Sequence, residues 1–318
     1  MVDQRNLAHG VMFHHFHDER HLRGQGSISA EEFEEVLQFI GVHNVMSPEE
    51  WMDRLQRREL QDGHACLTFD DALLCQFEIA LPILERHRLT AFWFVYSSVF
   101  EGQIGKLELY RFFRTTCFDS VDEFYDVFFQ RVSASEFAEA AERVVDEPAI
   151  TQTLASFPFY SVDDVKFRLI RDRALSPAQY ERLMDGLIDD YGLDVAAAAG
   201  TLWMSDDHLR YLNEHGHMVG LHSYSHPTAL ARLSPEEQAD EYARNFRHLQ
   251  RVCRQDPIAM AHPTNSYTEE TLVILRKLDI RCGFRSNMSP SREGGALNPN
   301  PLELAREDHA NIMRRLAC

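Results

Sequence analysis

No run of about 18 consecutive apolar residues occurs in this 318-residue chain, so no segment reads as a helix able to cross a bilayer. Basic residues are in short supply: 32 lysines and arginines face 50 aspartates and glutamates, a formal net charge of −18. Repulsion at long range from such a chain argues against a nucleic-acid or anionic-membrane surface and leaves room only for a local basic pocket. Cysteine is sparse and unpatterned. Cys66, Cys75, Cys117, Cys253, Cys282 and Cys318 form no C-x-x-C pair in a chain too long to need staples, and they read as reduced thiols. The opening Met1-Val2-Asp3-Gln4-Arg5-Asn6 lacks the apolar stretch of a secretion signal, and internal repeats, low-complexity tracts and heptads are absent. The expectation is a cytoplasmic protein without stable membrane insertion, its oligomeric state left open.

What is present is ordinary for a globular protein, 44% hydrophobic and 26% charged, enough for one large α/β domain or two smaller ones. Val11-Met12-Phe13 reads as a first strand ending in His14-His15-Phe16-His17-Asp18. Ser29 with Glu32, and Ser47 with Glu50, predict capping boxes that open two helices, the second with Pro48 at its first position. Residues 65–69 and 90–96 are strand-like and flank a helical segment that runs to His87. Strand signals then fade, and residues 101–200 read as a helical insertion. Alternation resumes with a helix at 206–214, a strand at 218–221, a long helix opened by Ser234-Pro235-Glu236-Glu237, strands at 258–261 and 280–284, and a final strand-helix pair. Alternating strands and helices predict a parallel sheet.

Two fragments about 150 residues apart carry the chemistry. Leu67-Thr68-Phe69-Asp70-Asp71-Ala72 and Gly220-Leu221-His222-Ser223-Tyr224-Ser225-His226-Pro227-Thr228 each follow a buried strand, on the edge where α/β folds place ligands. Successive strand residues point to opposite sides, so the two carboxylates need not share one task. Taken alone, Asp70 and Asp71 also suit a solvated strand end or a helix N-cap, and His222 and His226 two loop histidines. Together, a His-His-Asp set plus a water fits a hydrolytic metal centre, with Pro227 stopping any helix through it.

With these motifs the chain resembles the polysaccharide deacetylases, the NodB-homology group of carbohydrate esterase family 4, over roughly residues 8–100 and 200–318. The resemblance implies a distorted (β/α) barrel of the NodB type, here a single domain over 1–318 with the 101–200 insertion inside it. It implies Asp70 as catalytic base and Asp71, His222 and His226 as ligands of a divalent metal ion, expected to be zinc. The family's R-x-P-Y motif corresponds to Ala261-His262-Pro263-Thr264, which has neither the arginine nor the tyrosine. The Thr264 amide is the implied oxyanion donor, and the task of orienting the base passes to Arg285 or Arg306. Phe13-His14 resembles the N-terminal strand that carries the leaving-group acid in permuted members, so His14 takes that role in preference to His309. His15, His17 and His21 are expected in loops.

The implied activity is hydrolysis of the acetamido group of an amino sugar or sugar conjugate, a precursor or component of a surface polysaccharide. An amidase acting on a small non-carbohydrate amide, or a catalytically inactive glycan-binding relative, are the alternatives. Trp93, Tyr96, Trp203 and Tyr224 are candidates to stack on a sugar, with core packing the competing role. In the insertion, Tyr110-Arg111-Phe112-Phe113-Arg114 suits a pocket cap, a phosphate contact or a plain amphipathic helix.

Overall fold

The computed structural model describes residues 7–156, 161–290 and 296–317; the opening six residues and Cys318 lie outside them. The described chain forms two compact units, Lys106–Gly200 and the remainder, Met1–Gly105 with Thr201–Cys318. Residues 101–105, read from the sequence as the start of the insertion, fall in the larger unit.

Seven strands build the larger unit: β1 (His9–Phe13), β2 (Ala65–Asp70), β3 (Phe92–Val95), β4 (Met218–Leu221), β5 (Ala259–Ala261), β6 (Cys282–Phe284) and β7 (Arg306–Asp308). They pair in the order β6-β5-β4-β3-β2-β1-β7, every pair parallel. The chain ahead of β7 reaches round to β6: the Arg285 amide donates to Leu304 O at 2.8 Å, the Leu304 amide to Gly283 O at 2.9 Å, and Phe284 and Leu304 form a parallel bridge. The result is a nearly closed, distorted (β/α) barrel.

Both faces of each strand are covered, as parallel strands require. Alternation sorts the side chains: Phe92 and Phe94 join Cys66, Ala259, Ala261, Cys282 and Phe284 in an inner cluster, while Trp93, Val95, Leu67 and Phe69 pack outward. Along β2 the inward parity runs Cys66, Thr68, Asp70, so the last strand residue is a carboxylate aimed into the barrel. Gly10 on β1 has little room. A Cβ there would stand 3.0 Å from Arg306 Cγ and 3.2 Å from the Phe284 ring.

Local signals placed the covering helices well. Ser29 and Glu32 form a reciprocal box at the head of helix Ala30–Ile40, as do Ser234 and Glu237 at helix Pro235–Cys253. At helix Pro48–Arg57 only half of the expected box forms. Ser47 Oγ accepts from the Glu50 amide, but the Glu50 carboxylate is taken by Arg54 one turn on, at 2.8 and 3.1 Å.

The unit Lys106–Gly200 is helical in its described residues and has its own aromatic core, with Phe113, Phe124, Tyr125, Phe128 and Phe167 buried. Tyr110 donates to Asp185 at 2.9 Å, and Arg114 lies over the Phe124 and Phe167 rings. Those residues of the 110–114 motif thus serve an amphipathic helix within the unit. No helix among the described residues is long and apolar enough to cross a membrane, and no disulfide joins Cys66, Cys75, Cys117, Cys253 and Cys282.

Candidate metal centre

Because every strand runs the same way, the carboxyl ends of β1, β2, β4 and β5 share one edge of the barrel, and His14, Asp70, Asp71, His222 and Thr264 all sit at those ends. The backbone there is strained. Asp71 and Ala72 after β2, Ser223 and His226 after β4, and Thr264 and Asn265 after β5 have φ between 50° and 78°, a region that non-glycine residues avoid. This overrides the strand alternation expected for the two aspartates. The strand stops at Asp70, and the turn at Asp71 brings its carboxylate back to the same side, so that His14 Nε2 stands 3.8 Å from Asp70 Oδ2 and 3.8 Å from Asp71 Oδ2.

Asp71, His222 and His226 offer ligand atoms that all lie within 4.8 Å of one another. Asp71 Oδ1 is the centre of the group, 3.4 Å from His222 Nε2 and 3.3 Å from His226 Nε2, buried and without an aligned hydrogen bond. Donors about 2.0–2.1 Å from a tetrahedral cation stand about 3.3–3.4 Å apart, so the two Asp71–imidazole spacings match those around a divalent metal ion. The ring orientation fits as well: His222 Nδ1 donates to Ala261 O at 2.9 Å, which leaves Nε2 as the nitrogen that faces Asp71. Burial alone would raise the Asp71 carboxyl, but the His226, His222 and His14 rings hold it far below the usual range.

Asp70 has a different partner. Arg306 Nη1 and Nη2 donate to Asp70 Oδ1 and Oδ2, each at 2.7 Å, both side chains buried. Burial again works to raise this carboxyl, and the Arg306 guanidinium outweighs it and keeps Asp70 ionised below the ordinary carboxylate range. Of the two candidate arginines, Arg306 on β7 is therefore the one that holds Asp70. Arg285 spends its guanidinium on the carbonyls of Glu303, Ser289 and Leu297 and on Asn287 Oδ1, organising the loop ahead of β7.

His309, the other histidine considered for the acid role, is buried against Phe13 with its ring nitrogens at the Met12 and Gly26 carbonyls, and burial pushes it down. Thr264 is exposed, and its hydroxyl donates to Thr228 O at 2.8 Å. Of the aromatics considered for sugar stacking, Trp93 is core, stacked on Phe69 at 4.3 Å; Tyr96 and Tyr224 are buried and Trp203 half-buried.

Two supporting residues escaped the sequence reading. Gln76, in a π-helical turn after β2, donates through Nε2 to His14 O at 2.7 Å and Asp70 O at 2.6 Å, tying the ends of β1 and β2 together. Asn245 accepts from the His222 amide at 2.9 Å and donates to Val95 O at 3.1 Å. The legible signal was a pair of polar side chains on the apolar faces of their helical segments.

A nearly closed (β/α) barrel with two carboxylates and three imidazoles gathered on the strand-end edge defines the class of fold and site. The chain resembles the polysaccharide deacetylases: that family's model matches residues 181–283, a span that holds both His222 and His226. Among solved structures, the deacetylase PplD of Streptococcus pyogenes, in complex with acetate, is 17% identical with 97% of each chain covered and a TM-score of 0.56. IcaB from Ammonifex degensii is 15% identical over 97% of this chain and 96% of its own, with a TM-score of 0.54. A de-N-acetylase from Aggregatibacter actinomycetemcomitans is 11% identical over 94% and 93%, with a TM-score of 0.52. At these identities the likeness is one of fold. No curated protein matches the sequence.

Proposed function

We propose that the chain is a metal-dependent N-deacetylase acting on the acetamido group of an amino sugar, a precursor or component of a surface polysaccharide. The observation that carries this reading is the buried Asp71 Oδ1, lacking any aligned hydrogen bond and faced by two imidazole nitrogens at 3.4 and 3.3 Å beside a second, arginine-clamped carboxylate. A divalent cation, expected to be zinc, held by Asp71, His222 and His226 would lower the pKa of a water and polarise the acyl oxygen.

The remaining work belongs to the chain. Asp70 takes the proton of the attacking water; Arg306 occupies one site on each of its oxygens and leaves the other lone pairs free to accept. The Thr264 amide is among the first N–H groups of the turn Pro263–Asn265, which have no partner inside the turn, and it donates to the developing oxyanion. His14 is half-buried within about one water of both aspartates and delivers a proton to the departing amine.

Metal analysis of the purified protein together with acetate release from N-acetylated amino sugars tests the proposal. About one equivalent of zinc or a similar ion, with acetate released, is the expected result. Metal with turnover only of small non-carbohydrate amides would replace it by an amidase, and a protein that holds no metal would reduce it to a glycan-binding relative.

A further inference from the structure

The segment between the two histidine ligands is short and strained, with Ser223 at φ 62° and His226 at φ 55°. Such a conformation persists only where its surroundings over-determine it. The surroundings here come from helix Pro235–Cys253, one turn of which presents Glu241 and Asn245. Glu241 Oε2 accepts from the amides of Tyr224 at 2.9 Å and Ser225 at 2.8 Å, and Glu241 Oε1 accepts from Ser225 Oγ at 2.7 Å. Two successive backbone N–H groups thus converge on one carboxylate oxygen, the arrangement of an anion-binding nest with its anion built into the protein. Asn245, four residues on, accepts from the His222 amide at the head of the same segment. Tyr224, between the ligands, is held from its other side by Arg244 stacked 3.3 Å from its ring centroid and by its hydroxyl donating to Glu101 at 2.8 Å.

We infer that Glu241 is a positioning residue for the metal centre: its carboxylate preforms the 222–226 loop so that both imidazoles face Asp71 before any cation arrives. It touches neither ligand nor reacting atoms and acts through the backbone of Tyr224 and Ser225. This inference rests on the metal reading of Asp71, His222 and His226.

The test is zinc affinity, measured on the full-length protein by competition with a chelating dye, in the wild type, E241A and E241Q, with the melting temperature of each metal-free form alongside. The side-chain amide introduced by E241Q retains one oxygen able to accept both backbone N–H groups, and its NH2 donates to Ser225 Oγ where the carboxylate accepted from it, so it keeps the geometry of the loop without the charge. A loss of about 10- to 100-fold in zinc affinity for E241A, with E241Q within a few-fold of wild type and similar metal-free melting temperatures, is the expected pattern. Equal zinc affinity in E241A and wild type would overturn the role of Glu241 and leave the metal site standing. A wild-type protein that binds no zinc would overturn both. If E241A does not fold, an E241Q protein that folds and binds zinc as weakly as a chain lacking His226 would also overturn the inference, because geometry and not charge is the proposed contribution.

Discussion

Arg306 and Asp70, 236 positions apart in the sequence, meet through two parallel 2.7 Å hydrogen bonds inside the barrel. The strand register makes this possible: Arg306 pairs with Gly10, whose missing side chain leaves room for the arginine to pass under β1 and reach the inward-facing end of β2. The arginine absent from the Ala261-His262-Pro263-Thr264 segment is therefore supplied by another strand, with its guanidinium also donating to Thr68 Oγ1 and to Arg285 O.

Removing one member of this buried pair leaves the other charge uncompensated. R306M is expected to lower unfolding free energy by about 3–5 kcal/mol. D70N/R306M, which has no stranded carboxylate, should lose less than the sum of D70N and R306M. Denaturant unfolding of the four proteins measures the coupling, and additive losses would show that the two side chains do not depend on each other.

The two adjacent aspartates should separate by substitution. D70N is expected to keep its zinc and lose turnover by at least about 100-fold, as removal of a general base does. D71N should lose zinc and turnover together, because the orphaned oxygen between the imidazoles becomes a poorer ligand. Metal content by mass spectrometry beside acetate release distinguishes them. A D70N protein with unchanged activity would remove the base assignment.

An amine leaves only when protonated, whereas an activated aryl acetate releases a stable phenolate without help. H14Q should therefore lose about 100-fold or more in acetamide hydrolysis and retain most of its aryl acetate hydrolysis. Equal losses on both substrates would place His14 outside the acid role.

His217 gives the fold an acid limit. Its Nδ1 accepts from the Ala91 amide and from Trp93 Nε1, both at 3.1 Å, and burial pushes its pKa down from 6.5 to about 4. Between those values the unfolded chain binds a proton that the folded chain refuses, so this contribution to stability is present above about pH 6.5 and is lost as pH falls towards about 4. The loss is about 3 kcal/mol. In H217N an amide oxygen replaces the acceptor without titrating, and melting temperature against pH should show a shallower acid limb than wild type.

Much of the barrel was legible from local pattern. The strand Met218–Leu221 and the helix Asp206–Glu214 fall where the sequence pattern places them, because burial and helix periodicity act over a few residues. The half-formed box at Ser47 shows the limit of such rules: Glu50 had a competing arginine one turn away, a choice between two local partners of similar strength. The Asp-Asp and His-x3-His motifs also announced themselves, since each closes a strand. Gln76, Glu241 and Asn245 did not, because a polar residue on a helix declares its partner only when the helix is docked.

The sequence by itself determined the alternation of strands and helices and the residue types of the site, for these follow from periodicity and short-range chemistry. Which arginine holds Asp70, which way Asp71 turns, and what braces the histidine loop were decided only in three dimensions. Each depends on strand register and left-handed backbone at the barrel edge, where packing across distant segments overrules the preferences of neighbouring residues.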